Sequence, residues 1–163
     1  MTVFDYVFLG VLALSAAVGM WRGLVSEVMA LLAWVLALLA AWRYAGAAAA
    51  LLDGIIAEPA WRQVAGFALI FVAVLLIAAL LRFLLRELLR AAGLAATDRF
   101  FGALFGIARG LAIAFAVVLL GGLIGVAREP WWADAMFAPP LETAVIAAKP
   151  WLPDVVAARI RFR

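Results

Sequence analysis

Three charged residues border or interrupt long apolar runs and could form a polar site: Arg22, Glu27 and Arg109. A charge inside a bilayer costs at least about 2.5–3.5 kcal/mol on insertion scales, so it normally faces a partner or water. The pattern therefore predicts a candidate intramembrane polar site at these residues. A second interpretation stays open, because Arg22 and Glu27 flank the sequence GLVS, which could be a tight turn that leaves both side chains at the membrane surface.

Few residues of the chain could catalyse a reaction. The chain has no histidine and no cysteine, which removes zinc sites of the His/Cys kind, thiol nucleophiles and histidine bases. Lys149 lies in the C-terminal tail, and Ser15 and Ser26 have no base at helical spacing apart from Arg22, which stays protonated. We therefore expect no enzymatic activity, no metal and no cofactor.

The composition predicts the environment in which these residues act. Of 163 residues, 71% are hydrophobic and 14% are charged, and the mean hydropathy is +1.21. Soluble domains are about 45–50% apolar and about 25% charged. A soluble fold of this length could not bury so much apolar surface, so we predict a membrane protein. The net charge of +3 is spread between apolar runs, which favours anionic lipid headgroups over nucleic acid as a partner.

The charges separate apolar runs that approach the length of about 20 residues required by a spanning helix. The runs are residues 6–21, 28–42, 63–81 and 100–127. We predict an all-α membrane protein, a polytopic helical bundle of about four transmembrane helices. The first two runs are slightly short, which leaves open that they form short or re-entrant helices.

The composition changes after residue 127, where Trp and Pro become frequent. The sequence therefore predicts a membrane domain over residues 1–127 and an interfacial tail over residues 128–163. We expect the tryptophans of the tail at the membrane–water interface, which accommodates an apolar ring with an N–H donor. They are Trp131, Trp132 and Trp151.

The second and third runs are separated by residues 43–62. This segment contains an Ala-rich stretch followed by the turn signals DG at 53–54 and EP at 58–59. We predict a connection that contains a short interfacial helix.

A basic stripe follows the third run, which we expect to continue as a helix to residue 92 and to stop at Gly93. The stripe has four-residue spacing and so lies on one helix face, where it is either simply solvated or in contact with anionic lipid. Counting bases near the ends of the runs favours residues 82–99 in the cytoplasm and both termini outside. The stripe consists of Arg82, Arg86 and Arg90.

Glycines also recur at four-residue spacing, a pattern that lets helices approach closely in lipid. The segments GMWRGL at 19–24 and GIARGL at 106–111 are similar, and each follows an aspartate, Asp5 or Asp98, that opens an apolar stretch. We expect either plain helix packing or a duplicated feature that brings two Arg-bearing turns together around a polar path. The candidate helix-packing glycines are Gly19, Gly23, Gly102, Gly106 and Gly110.

Two separated blocks are similar to those of a known family. The first runs from Asp5-Tyr6 through GMWRG to Glu27, and the second is DRFFGALFGIARG at 98–110. They resemble the colicin V production protein (CvpA) family of bacterial inner-membrane proteins. The resemblance implies a small multi-pass protein of the bacterial inner (plasma) membrane, linked to colicin V toxin production, biofilm formation and envelope integrity. It implies no known reaction.

Two functions follow as hypotheses. The first is a small transport or channel component, because intramembrane charges, packing glycines and a repeat are typical of transport folds. The second is a non-transporting membrane scaffold that supports a secretion or envelope-maintenance complex, since the sequence contains no phosphate-binding loop and few carboxylates to relay protons. In either case we expect membrane lipids and either a homo-oligomer or membrane-protein partners, and no nucleic acid.

Overall fold

The computed structural model describes residues 1–153, 157, 159, 160 and 162, and four long helices make up most of this part. The long helices are α1 (Val3–Arg22), α2 (Leu24–Leu51), α3 (Pro59–Ala91) and α4 (Ala95–Ile124). Each is long and apolar enough to cross a membrane, and no strand occurs among the described residues. The prediction of an all-α membrane protein is confirmed. The short helices α5 (Pro130–Ala133) and α6 (Ala138–Ala148) follow in the tail, with 3-10 turns at Val126–Arg128 and Lys149–Trp151.

The first two helices are not short. α1 has 20 residues and α2 has 28, and these lengths correspond to about 30 and 42 Å at a rise of about 1.5 Å per residue. Both match or exceed a hydrocarbon core of about 30 Å. The alternative in which the first two runs form short helices therefore does not hold, because residues that flank each run complete the helix.

The connection between α2 and α3 is shorter than the sequence predicted. α2 continues through the Ala-rich residues 47–50 to Leu51, because alanine has the highest helix propensity. The separate interfacial helix expected before α3 is therefore not formed. The remaining link covers residues 52–58, and an ion pair between Asp53 and Arg62 joins it to the first turns of α3.

Glycines with positive φ set where α1 and α3 end. Gly23 (φ 83°) is the single residue between α1 and α2, and Gly93 (φ 72°) follows the last turn of α3. Residues with a Cβ rarely adopt this left-handed region. The predicted stop at Gly93 is confirmed. α3 begins earlier than expected, at Pro59, because proline is tolerated in the first turn of a helix.

Contacts between residues divide the chain into two units, residues 22–100 and residues 1–21 with 101–163. In the first unit, α2 and α3 form an antiparallel pair, and Gly66 of α3 lies against the backbone of Ala45 and Ala49. Small side chains on α2 permit this close approach. The buried alanines of α2 are Ala33, Ala37, Ala41, Ala45, Ala48 and Ala49.

In the other unit, the backbones of α1 and α4 approach each other at glycines. A Cβ at Gly19 would overlap the carbonyl oxygen of Gly102. Likewise, a Cβ at Gly106 would overlap the carbonyl oxygen of Ser15. Because lipid supplies no hydrophobic force between helices, van der Waals contact of this kind is what holds such a pair together.

The ring of Trp132 is buried inside this second unit, whereas the sequence predicted an interfacial position. The residue is 3% exposed, and its ring centroid lies 4.7 Å from that of Phe4. Gly121 provides the space, because a side chain there would overlap the ring. Trp131 and Trp151 are 40% and 88% exposed. The buried core of this unit consists of Phe4, Val118, Ala127, Trp132, Ala135, Ala138, Val145, Ile160 and Phe162.

We expect Gly19→Ala to destabilise the protein, because the new Cβ meets backbone atoms of Gly102, which cannot rotate away. Overpacking of this kind costs about 1–3 kcal/mol. Gly10→Ala is the matched control on the same helix, since nothing lies within 4 Å of a Cβ there. The measurement is the free energy of unfolding in a detergent titration followed by circular dichroism. Equal values for the two variants would contradict a packing role for Gly19.

Candidate functional site

The junction between α1 and α2 pairs two of the predicted site residues. Arg22 ends α1 and Glu27 lies in the first turn of α2, and Arg22 Nη1 is 3.3 Å from Glu27 Oε1. The Glu27 side chain is 5% exposed, whereas that of Arg22 is 51% exposed. A carboxylate in the first turn also suits the positive end of the helix dipole. The junction therefore has a buried negative charge beside a partly exposed positive one.

The start of α2 is capped by Asp98, a residue far away in the sequence. Gly23 precedes the helix and has no side chain to accept hydrogen bonds from its first amides. The backbone N–H of Val25 instead donates to Asp98 Oδ1 at 2.9 Å, across a separation of 73 residues. A Cβ on Gly23 would overlap this carboxylate. Gly23 lies outside both helices and makes room for the cap, a role that differs from the predicted helix packing.

Arg109 of α4 binds Ser15 of α1 in the other unit. Its Nε donates to Ser15 Oγ at 3.0 Å, and its Nη2 donates to the Ser15 carbonyl oxygen at 3.3 Å. Gly106 and Gly110 flank this arginine, and both lie against Ser15. The glycines therefore bring the α4 backbone close enough for the guanidinium to reach both a side chain and a backbone carbonyl of α1.

Asp5 is buried and accepts hydrogen bonds from three backbone amides. The N–H of Thr2 donates at 2.9 Å, which closes the first turn of α1. The N–H groups of Met136 and Phe137 donate at 3.2 and 3.0 Å. One carboxylate thus stabilises the start of α1 and also binds the segment that precedes α6.

The predicted lipid-contact stripe lies along the last part of α3. Arg82 and Arg86 are partly buried, and Arg90 is exposed. Arg90 Nη1 lies 2.6 Å from Glu87 Oε1. The three arginines therefore differ, because the last one has a carboxylate neighbour on its own helix.

Sequence reasoning missed the capping roles of Asp5 and Asp98 and the role of Ser15 as a partner of Arg109. The signal was present, since each aspartate opens an apolar stretch ahead of a Gly-x-x-Arg-Gly segment. A carboxylate at such a position needs hydrogen-bond donors that lipid does not supply. What the sequence could not supply was the identity of the distant donors, which are Val25 for Asp98 and Met136 and Phe137 for Asp5.

We expect Asp98→Ala to destabilise the start of α2, since loss of a cap costs about 0.5–2 kcal/mol. The readout is hydrogen exchange of the Val25 amide, which should become faster. Asp134→Ala is the control, because Asp134 is exposed and surface substitutions usually change stability by less than about 0.5 kcal/mol. Unchanged exchange at Val25 in Asp98→Ala would show that the cap does not protect this turn.

The chain is similar to known proteins along most of its length. The family model described as colicin V production protein matches residues 4–146. The colicin V production protein homolog of Haemophilus influenzae is 30% identical over 137 residues, and the colicin V production protein of Escherichia coli strain K12 is 31% identical over 136. Each match covers 83% of this chain and 83% of the relative, whereas no solved structure is significantly similar. The chain therefore belongs to the colicin V production protein family.

Proposed function

We propose that this protein supports colicin V production as a small transport or channel component of the bacterial inner membrane. Its family, and the names of its Haemophilus influenzae and Escherichia coli relatives, support the process. Helices α1 to α4, each long and apolar enough to span a bilayer, support a multi-pass location. Involvement in biofilm formation and envelope integrity belongs to the same proposal and follows from the family resemblance.

The observation that carries the transport proposal is the depth of Arg109. This residue stands at the middle of the 30-residue helix α4. At about 1.5 Å per residue it is about 14 Å from Phe100, where the apolar segment of the helix begins. A charge this deep in a span is costly, and in membrane proteins it commonly marks the path of an ion or solute. A guanidinium binds carbonyl and carboxylate oxygens, which a peptide carries in number.

The Arg22–Glu27 pair supports the same proposal at the α1–α2 junction. Its guanidinium is half exposed and can contact a polar solute, while the buried Glu27 carboxylate holds the guanidinium in place. A chain of 163 residues is small for enclosing a pathway alone. We therefore include self-association, or association with membrane-protein partners, in the proposal.

The second candidate function is a non-transporting scaffold, and a specific observation favours it. Asp5, Asp98 and Arg109 all bind backbone groups of the protein itself. Such contacts stabilise helix ends and helix pairs, so these polar residues need no passing solute to explain them. In this function a partner protein carries the toxin, and the present chain positions that partner in the membrane.

We expect Arg22→Ala, Glu27→Ala and Arg109→Ala each to lower export of colicin V. Hydrogen bonds to charged groups are worth about 1.5–3 kcal/mol, so the loss should reach about tenfold or more. The measurement is secreted toxin divided by the amount of the variant in the membrane. Arg43→Ala, which removes an exposed arginine of α2, should export normally. Normal export and normal expression of all three site variants would rule out the polar site.

Reconstitution of the purified protein in liposomes distinguishes the transport function from the scaffold function. Passage of an ion or a small dye, lost in Arg109→Ala, supports transport. A sealed liposome, together with a partner recovered by crosslinking in cells, supports the scaffold and overturns the transport proposal.

Single cysteines give the sidedness of α4, since the native chain has no cysteine. Thr97 and Thr143 are both exposed, one near the start of this span and one after it. We expect a membrane-impermeant maleimide to label Thr143→Cys in intact cells and Thr97→Cys only after permeabilisation, because bases concentrate at the end of α3 and the start of α4. Labelling of both from one side would contradict a spanning α4. The reverse pattern would contradict only the orientation.

A further inference from the structure

An apolar groove between α2 and α3 has one charged residue, Arg82, in its lining. The groove has a volume of about 200 Å³. Met29 and Trp34 line it from α2, and Leu75 and Ala78 line it from α3. The Trp34 residue is 58% exposed, so the groove is open at the surface of the protein.

The position of Arg82 along α3 places the groove relative to the bilayer. Arg82 is the first charged residue after the apolar segment 63–81. α3 has 33 residues and is therefore about 50 Å long, which exceeds a hydrocarbon core of about 30 Å. Arg82 thus stands where α3 leaves the hydrocarbon. Leu75, about 10 Å nearer the start of the helix, lies at the depth of the acyl chains.

Two arginines of α3 carry positive charge at one end of the groove, Arg82 in its lining and Arg86 beyond it. Arg82 and Arg86 lie one turn apart on the same face of α3, and both are partly buried. Within the part of the chain that the structure describes, neither forms an ion pair with a carboxylate. Arg90 differs, since it pairs with Glu87. Two neighbouring guanidinium groups of this kind suit an anion that comes from outside the chain.

We propose that this groove is a binding site for one anionic phospholipid. An acyl chain lies in the groove against Trp34 and Ala78, and the phosphate binds Arg82 and Arg86. The site rests on the membrane location of the chain and is independent of the proposed export function.

The lining and the charge together select this occupant. A peptide or polar solute would leave its amides without partners against the apolar walls, which is costly. A zwitterionic lipid presents its own cation beside the phosphate and so gains less from two arginines than a lipid with net negative charge. One basic residue near an anionic membrane surface is worth about 1 kcal/mol, which corresponds to a preference of about fivefold.

The test uses the full-length protein in phosphatidylcholine vesicles that contain a small fraction of phosphatidylglycerol brominated on its acyl chains. Bromine quenches tryptophan fluorescence at short range, and the Trp34→Phe variant isolates the signal of Trp34. Brominated phosphatidylglycerol should quench Trp34 more strongly than the same fraction of brominated phosphatidylcholine. Arg82→Gln should lower this preference about fivefold. Arg90→Gln is the matched control on the same stripe, because Arg90 already pairs with Glu87, and it should keep the preference.

A second variant tests the groove without changing charge. Ala79→Leu fills the lining between α2 and α3 and should reduce quenching by both brominated lipids while circular dichroism stays unchanged. If this variant fails to fold, the comparison of Arg82→Gln with Arg90→Gln still tests the proposed lipid site. An equal loss in those two variants would mean diffuse attraction to the surface and would overturn the site. Equal quenching of the unmodified protein by the two lipids would overturn it as well.

Discussion

Inside a bilayer, backbone amides and charged side chains have no water to bind, so each must find its partner within the protein. The ends of helices have the same need for partners, and Asp98 supplies one at the start of α2, where it accepts the hydrogen bond that Gly23 cannot accept. Asp5 meets it at the start of α1 and before α6. A buried carboxylate or helix-end amide that lacks a hydrogen-bond partner raises the free energy of the folded protein. A hydrogen bond between the two therefore stabilises both groups. The long helices of the fold depend on these local solutions.

Glycine and charge act together in this protein. Gly106 and Gly110 bring α4 against Ser15, and this close approach lets the guanidinium of Arg109 reach Ser15. Gly23 does the same for Asp98, because the missing Cβ leaves space for the carboxylate. The glycine spacing was interpreted either as plain helix packing or as a duplicated feature that brings two Arg-bearing turns together around a polar path. The structure has close helix packing at Gly19 and Gly106, and each arginine has its own partner, Glu27 for Arg22 and Ser15 for Arg109.

The sequence was sufficient for features that depend on local pattern. Apolar runs bounded by charge predicted the long helices, and Gly93 predicted the end of α3. The extension of α2 to Leu51 was missed because the arginine at 43 and the later turn signals outweighed the helix propensity of the alanines. The cap by Asp98 and the burial of Trp132 were also missed. Both depend on partners distant in sequence, Val25 for the cap and Phe4 for the ring, and no periodicity encodes such contacts.

The contact between Asp5 and the segment before α6 also orders events during biogenesis. Asp5 is synthesised first, and Met136 and Phe137 follow 131 and 132 residues later. During that interval the carboxylate lacks both of these donors, although the local amide of Thr2 is already in place. α1 therefore acquires its complete set of Asp5 hydrogen bonds only after residues 136 and 137 have been synthesised.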